Sequence, residues 1–266
     1  MVEFLSQFNI VVVGIIASIL TGFATGIGAL IIFLKRDVPK KMLDAALGVA
    51  AGVMLAATSF SLIIPAIEKG GGGVKGSFIT LIGILVGGIF VDYMDKFFPD
   101  SNLMRNSVES DDTLVNGARL RKVWLFIMAI TLHNFPEGLA VGVGFGDGDI
   151  VNGLNLAIGI GLQNFPEGLA VALPLIREKY PRWKAFLIAL CTGLVEPIGG
   201  IIGVGVVQIS KPILPLAMAF AAGAMLFVIS HEIIPETQNN NTHSKLATHA
   251  LLIGFVIMMF LDNTLG

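Results

Sequence analysis

The sequence predicts an all-α membrane protein with eight transmembrane helices. Three observations carry this: the composition, a series of long apolar runs, and the sorting of Lys and Arg to one side. The 266 residues are 55% hydrophobic and 14% charged, with a mean hydropathy of +0.83. Soluble domains carry about 25% charged residues. The lipid bilayer is therefore the expected surrounding. The net charge is only −2, and the basic residues form no patch suited to nucleic acid.

The apolar runs lie at roughly 10–34, 42–67, 77–98, 123–146, 151–176, 184–209, 212–235 and 247–265. About 20 residues span a bilayer, so each run accounts for one helix. The first is too long for the apolar core of a cleaved signal and lacks a basic leader. The loop after helix one holds Lys35, Arg36, Lys40 and Lys41. The loop after helix three holds Lys96, Arg105, Arg119, Arg121 and Lys122. Arg177, Lys179, Arg182 and Lys184 follow helix five, and Lys245 follows helix seven. Of the 17 Lys and Arg, only Lys69, Lys75 and Lys211 fall on the opposite side. The positive-inside rule then places these loops in the cytoplasm and both termini outside the cell (inner) membrane.

Residues 1–266 read as a single transmembrane domain. The polar stretch of about 99–120, rich in Asp, Ser and Asn, reads as a flexible cytoplasmic loop. It has no His that could form a metal-sensing cluster. The lone Cys191 excludes a disulfide within the chain and a Cys-rich metal site, and it is expected to be a small buried residue.

Helices two and seven share a pattern. Ala51-Gly52-Val53-Met54-Leu55 with Ser59 matches Ala222-Gly223-Ala224-Met225-Leu226 with Ser230 at a constant offset of 171. The following Ile63-Ile64-Pro65 matches Ile233-Ile234-Pro235 after one gap. An odd number of crossings separates the two helices, so they run in opposite directions. Inverted repeats of this kind build secondary transporters, with the substrate site near the midplane. The expected arrangement is 3+2+3: helices 1–3 and 6–8 related by inversion around a central pair, helices four and five. Gly87-Gly88 and Gly199-Gly200 are expected to be packing faces.

That central pair carries a second repeat: His133-Asn134-Phe135-Pro136-Glu137-Gly138 and Gln163-Asn164-Phe165-Pro166-Glu167-Gly168, each followed by Leu-Ala-Val. His133 and Glu137 stand at i and i+4 and share a helix face. Pro136 and Pro166 cannot donate to the carbonyls of Leu132 and Leu162, so both helices should bend there. Glu196, before Pro197, adds a third carboxylate from helix six. A charged side chain at mid-membrane costs about 2.5–3.5 kcal/mol on insertion scales. Helices four, five and six offer no Lys or Arg in their cores to pair with these acids. A divalent cation is the common partner that imidazole, amide and carboxylate together would suit, and zinc leads, ahead of cadmium, iron(II) and manganese(II). With no thiolate, binding would be moderate enough for release.

These two phrases resemble the ZIP family of divalent metal transporters, and the Gln of the second copy is similar to its GufA-like branch. The resemblance spans the whole chain. It implies import of zinc and related metals into the cytoplasm, a binuclear site, no enzymatic activity and often a homodimer. Carried over by motif, one metal would use His133, Glu137, Gln163 and Glu167. The second would use Asn134, Glu137, Asn164, Glu167 and Glu196, with Glu137 and Glu167 bridging. Met54 would close over the first metal. Some relatives in the branch have Asp where this chain has Asn164, which weakens the second position. Helix seven adds His231, Glu232 and Glu236 as a cytoplasmic exit or third metal position, His243 and His249 stand near the last cytoplasmic loop, and Glu68 marks the outer mouth. A metal-selective channel is the alternative transport reading. A membrane zinc hydrolase is disfavoured, because His231-Glu232-Ile233-Ile234 is followed by Pro235 and not by a second His.

Overall fold

A computed structural model describes residues 2–34, 38–96, 112–238 and 244–265. These described residues are helical and contain no strand. The long segments are α1 (Ile10–Leu34), α2 (Lys40–Lys69), α3 (Gly73–Lys96), α4 (Asp112–Gly146), α5 (Ile150–Arg177), α6 (Arg182–Ile209), α7 (Lys211–Gln238) and α8 (Ser244–Leu265). Seven of them, all except α4, are long and apolar enough to cross a membrane, among the described residues. α4 has 35 residues, and its first turns, from Asp112 to Lys122, are polar.

Local chemistry sets several of the ends. Asn9 caps α1 by accepting from the Val11 N–H at 2.9 Å, and Asp149 caps α5 by accepting from Asn152 N–H at 3.1 Å. Gly71, Gly72 and Gly73 take positive φ in the turn between α2 and α3, a conformation that L side chains avoid. The stretch expected to stay a loop through 120 instead enters α4 at Asp112. Ala118-Arg119-Leu120-Arg121-Lys122 are good helix formers by type. The remainder of that expected loop, up to 111, lies outside the described residues.

Three interruptions of the helices were not legible as such in the sequence. α2 opens into a π-helical turn at Thr58–Ile63, and α7 does the same at Ile229–Ile233. These turns hold 6 and 5 residues, and that one-residue difference is where the alignment of the two helices needs its gap. Each turn leads into a short α-helix with Pro65 or Pro235 at its start, which removes an N–H donor and opens the ladder. α6 is broken between Gly193 and Glu196, so Glu196 and Pro197 begin a new half-helix.

The helices associate as two groups of four. In one, α1 packs on α5 and α4 on α6; in the other, α2 packs on α8 and α3 on α7. α2 against α5, and α7 against α4, join the groups. Gly22 of α1 and Gly193 of α6 cross so closely that a Cβ on either would run into the other's carbonyl oxygen. Gly87 and Gly199 also sit directly on neighbouring backbones, as packing faces. Cys191, expected to be buried, is exposed. It lies on the part of α6 that points away from the bundle, where its neighbours Leu187 and Leu194 are exposed as well.

Candidate metal centre

Position and burial follow from the repeated phrase. Pro136 and Pro166 both lie inside continuous helices, and the Gly that closes each phrase lets a neighbouring helix approach. A Cβ on Gly138 would overlap the backbone of Glu196, and one on Gly168 the backbone of Thr25. Glu196 is thereby held against α4. Its place in the first turn of a half-helix puts a negative side chain at the positive end of the helix dipole.

His133, Asn134, Glu137, Gln163, Asn164, Glu167 and Glu196 are all buried, none more than 3% exposed. The side-chain amides bind the carboxylates. Gln163 Nε2 donates to Glu137 Oε1 at 2.7 Å, and Asn164 Nδ2 donates to Glu196 Oε1 at 2.6 Å and to the Thr21 carbonyl at 2.9 Å. Both oxygens of Glu167 lack a hydrogen-bond partner among the described residues. So do Glu137 Oε2, Glu196 Oε2, Gln163 Oε1, Asn164 Oδ1 and both polar atoms of Asn134. Buried polar groups are otherwise almost always paired, and each orphan costs about 1–3 kcal/mol. This set of oxygen donors fits a divalent cation. Among the described residues, however, no three His, Cys, Asp or Glu side chains form a ready-made cage. Gln163 and Asn164 each hold one oxygen of an acid, Glu137 and Glu196 respectively.

The remaining expected residues are placed as follows. Met54 is fully buried in the apolar core that also holds Met225, whose sulfur accepts from Thr58 Oγ1 at 3.8 Å. Glu232 Oε1 lies 2.6 Å from His133 Nε2, a contact between α7 and α4 that sequence reasoning missed. The helix-seven pattern marks Glu232 as part of a cytoplasmic exit or third metal position and gives no sign of a link to His133. A cavity lined by His133, Glu167, Glu232, Glu236, Leu47, Ile130 and Ile233 runs from this contact toward the end of α7. His231 turns away, stacked on Phe227 with ring centroids 5.2 Å apart. His249 and Glu68 are exposed, and His243 lies outside the described residues. Thr21, whose carbonyl anchors Asn164, carried no sequence signal, because a backbone acceptor has none.

Comparison with known proteins identifies the family. The family model for the ZIP zinc transporter matches residues 99–262. The zinc transporter GufA of Myxococcus xanthus is 41% identical over 257 residues, covering 95% of this chain and 99% of that protein. Zinc transporter ZIPB of Bordetella bronchiseptica is 42% identical over 250 residues, covering 92% of this chain and 79% of that protein. Human zinc transporter ZIP11 is 35% identical over 322 residues, covering 91% of this chain and 94% of that protein. These matches run nearly end to end and take in both halves of the buried constellation, so the chain is a multi-pass membrane protein that belongs to the ZIP zinc transporter family, a family of transporters and not of enzymes.

Proposed function

We propose that the chain imports zinc into the cytoplasm, with cadmium, iron(II) and manganese(II) as further substrates, through a binuclear site between α4, α5 and α6. The observation that carries this is the buried row of unpartnered oxygens on Glu137, Glu167 and Glu196, beside His133 and the amides of Asn134, Gln163 and Asn164. An ion shedding its hydration water would find replacement donors there. Neutral amides and an imidazole in the set keep the affinity low enough for release. Met54 closes over the first position. The Glu232 contact gives the ion a way out: entering metal must displace Glu232 from His133 Nε2, and Glu232 with Glu236 then lines the cavity that leads away. Glu236, which lines that cavity, lies in the short helix at the end of α7, and the positive-inside rule would put that end, with the start of α2 at Lys40, on the cytoplasmic side.

The packing of the helices supports the eight-helix, 3+2+3 reading; the orientation with both termini outside rests on the positive-inside rule alone. Exchange of α1 with α6, α2 with α7, α3 with α8 and α4 with α5 turns the α1–α5 pair into α6–α4 and the α2–α8 pair into α7–α3, and all four are the main packing pairs. The offset of 171 relates Gly22 to Gly193, Gly28 to Gly199 and the two π-helical turns to each other. The halves differ in exposure: Ser230 is exposed, whereas its counterpart Ser59 is half-buried and donates to the Leu55 carbonyl at 2.8 Å. This difference between paired positions is in keeping with repeats that exchange two forms during alternating access.

Two experiments follow. Single cysteines at Ser59 and Ser230, with Cys191 replaced, should change water accessibility in opposite senses when zinc is added. A parallel response, or none, would favour a channel. The second concerns Asn164, whose Nδ2 faces two acceptors. Asn164→Asp puts an acceptor against the Thr21 carbonyl and the Glu196 carboxylate, so the metal-free protein should melt lower, and zinc should recover more of the Tm than in the unmodified chain. An unchanged Tm without metal would mean that Asn164 does not organise Glu196.

A further inference from the structure

Lys69 is the last residue of α2, and Asp147 and Asp149 flank the turn between α4 and α5. The Lys69 ammonium donates to Asp147 Oδ2 and lies 3.7 Å from Asp149 Oδ2. Backbone geometry fixes both sides of this contact. The Gly70 N–H bonds the Ala66 carbonyl at 3.0 Å where α2 ends. Gly148 turns the chain with φ of +94°, so two acids separated by one residue converge on one ammonium. Through its other oxygen, Asp149 also caps α5. The charges suit the helix ends they occupy, a cation at the C-terminus of α2 and an anion at the N-terminus of α5. The side chains of Lys69, Asp147 and Asp149 are 30%, 27% and 40% exposed, so water screens the contact only in part.

This contact joins the two groups of four helices. Lys69 belongs to the group of α2, α3, α7 and α8, whereas the acids sit at the tip of the helix pair that carries His133, Glu137, Gln163 and Glu167. The start of α2 packs on the short helix that holds Glu236, so its far end at Lys69 lies opposite the cavity that reaches His133. The repeats carry no equivalent at the cavity end. An offset of 30 relates Asp147 and Asp149 to Arg177 and Lys179, and an offset of 170 relates Lys69 to Asn239. Two cations and an amide stand where two acids and a cation would be needed. An ion-pair clasp is therefore available to only one of two opposed forms.

We propose that Lys69, Asp147 and Asp149 form a clasp that holds the outer end shut while the site faces the cytoplasm, and that must part before the site faces outward. The proposal rests on the alternating-access reading above. Loss of the clasp raises the outward-facing share of the protein, and the apparent KM for external zinc falls by the same factor. Partly exposed ion pairs shift such an equilibrium by roughly twofold to fivefold.

Zinc uptake and thiol labelling test this on the full chain with Cys191 replaced. Lys69→Met should lower KM about threefold. Asp147→Asn with Asp149→Asn should do the same, and the triple variant should gain nothing more, because one contact is lost in each case. Asn155 of α5 is buried where it meets Asp262 of α8, so it reports separation of the two groups at this end. Asn155→Cys should react with an impermeant maleimide about threefold faster once Lys69→Met is added. In the Lys69→Cys, Asp147→Cys variant, a short bis-methanethiosulfonate should abolish uptake, and reductant should restore it. The clamped protein should still bind zinc in detergent with parental affinity. Uptake by the clamped protein, loss of its zinc binding, or parental KM and labelling in every variant that folds overturns the clasp. Absence of uptake by the unmodified chain would instead overturn the transport reading, and the labelling rates would then still decide the clasp.

Discussion

Zinc uptake should fall to background when either Glu137 or Glu167 is replaced by Ala, while the protein remains folded and inserted. The two halves of this expectation have different causes. Each carboxylate would serve both metal positions, so its loss removes a donor from two ions at once. Stability behaves otherwise, because Glu167 has no hydrogen-bond partner among the described residues and Glu137 has only Gln163 Nε2. Removing a poorly compensated charge from mid-membrane relieves an insertion cost of about 2.5–3.5 kcal/mol. The Glu167→Ala protein should therefore melt no lower than the parent without metal and show little zinc-induced rise in Tm. Proteoliposome uptake beside a melting curve separates the two effects. Zinc uptake at the parental rate by Glu167→Ala would remove the bridging role.

The second large effect is on assembly. Gly138→Val should prevent recovery of a monodisperse protein. A Cβ at position 138 would overlap the carbonyl and Cα of Glu196, and a backbone cannot rotate away as a side chain can. Ordinary overpacking costs about 1–3 kcal/mol, and here α4 and α6 would have to separate, which moves Glu196 away from Asn164. Gly205→Val is the control, since a Cβ there meets nothing within 4 Å. Size-exclusion profiles in detergent should show aggregation for the first and a parental peak for the second. A parental peak for Gly138→Val would mean that the α4–α6 contact is looser than described.

The features legible in the sequence were those with a period or a repeat. Apolar runs give the long helices, and the doubled phrase singles out α4 and α5 because acids at membrane depth are rare. The break in α6 was masked by hydropathy, which averages over a window, although Gly193 and the Glu196-Pro197 step mark a helix end and a helix start. The π-helical turns announced themselves only as a gap between two similar helices. Contacts such as Ser61 with Asp262, 201 residues apart, or His133 with Glu232, depend on how helices dock and leave no trace in local pattern. Cys191 was misplaced for a related reason. In lipid an apolar residue has no need to face the protein, so hydrophobicity does not distinguish inside from outside.

The central claim is that zinc is held between α4 and α5 by His133 and the flanking oxygens. Zinc X-ray absorption on the loaded, purified protein tests it directly. The account predicts a first shell of nitrogen and oxygen at about 2.0–2.2 Å, with imidazole scattering that disappears in His133→Ala and a loss of bound zinc in Glu167→Ala. A shell dominated by sulfur, or one that neither substitution alters, would contradict it.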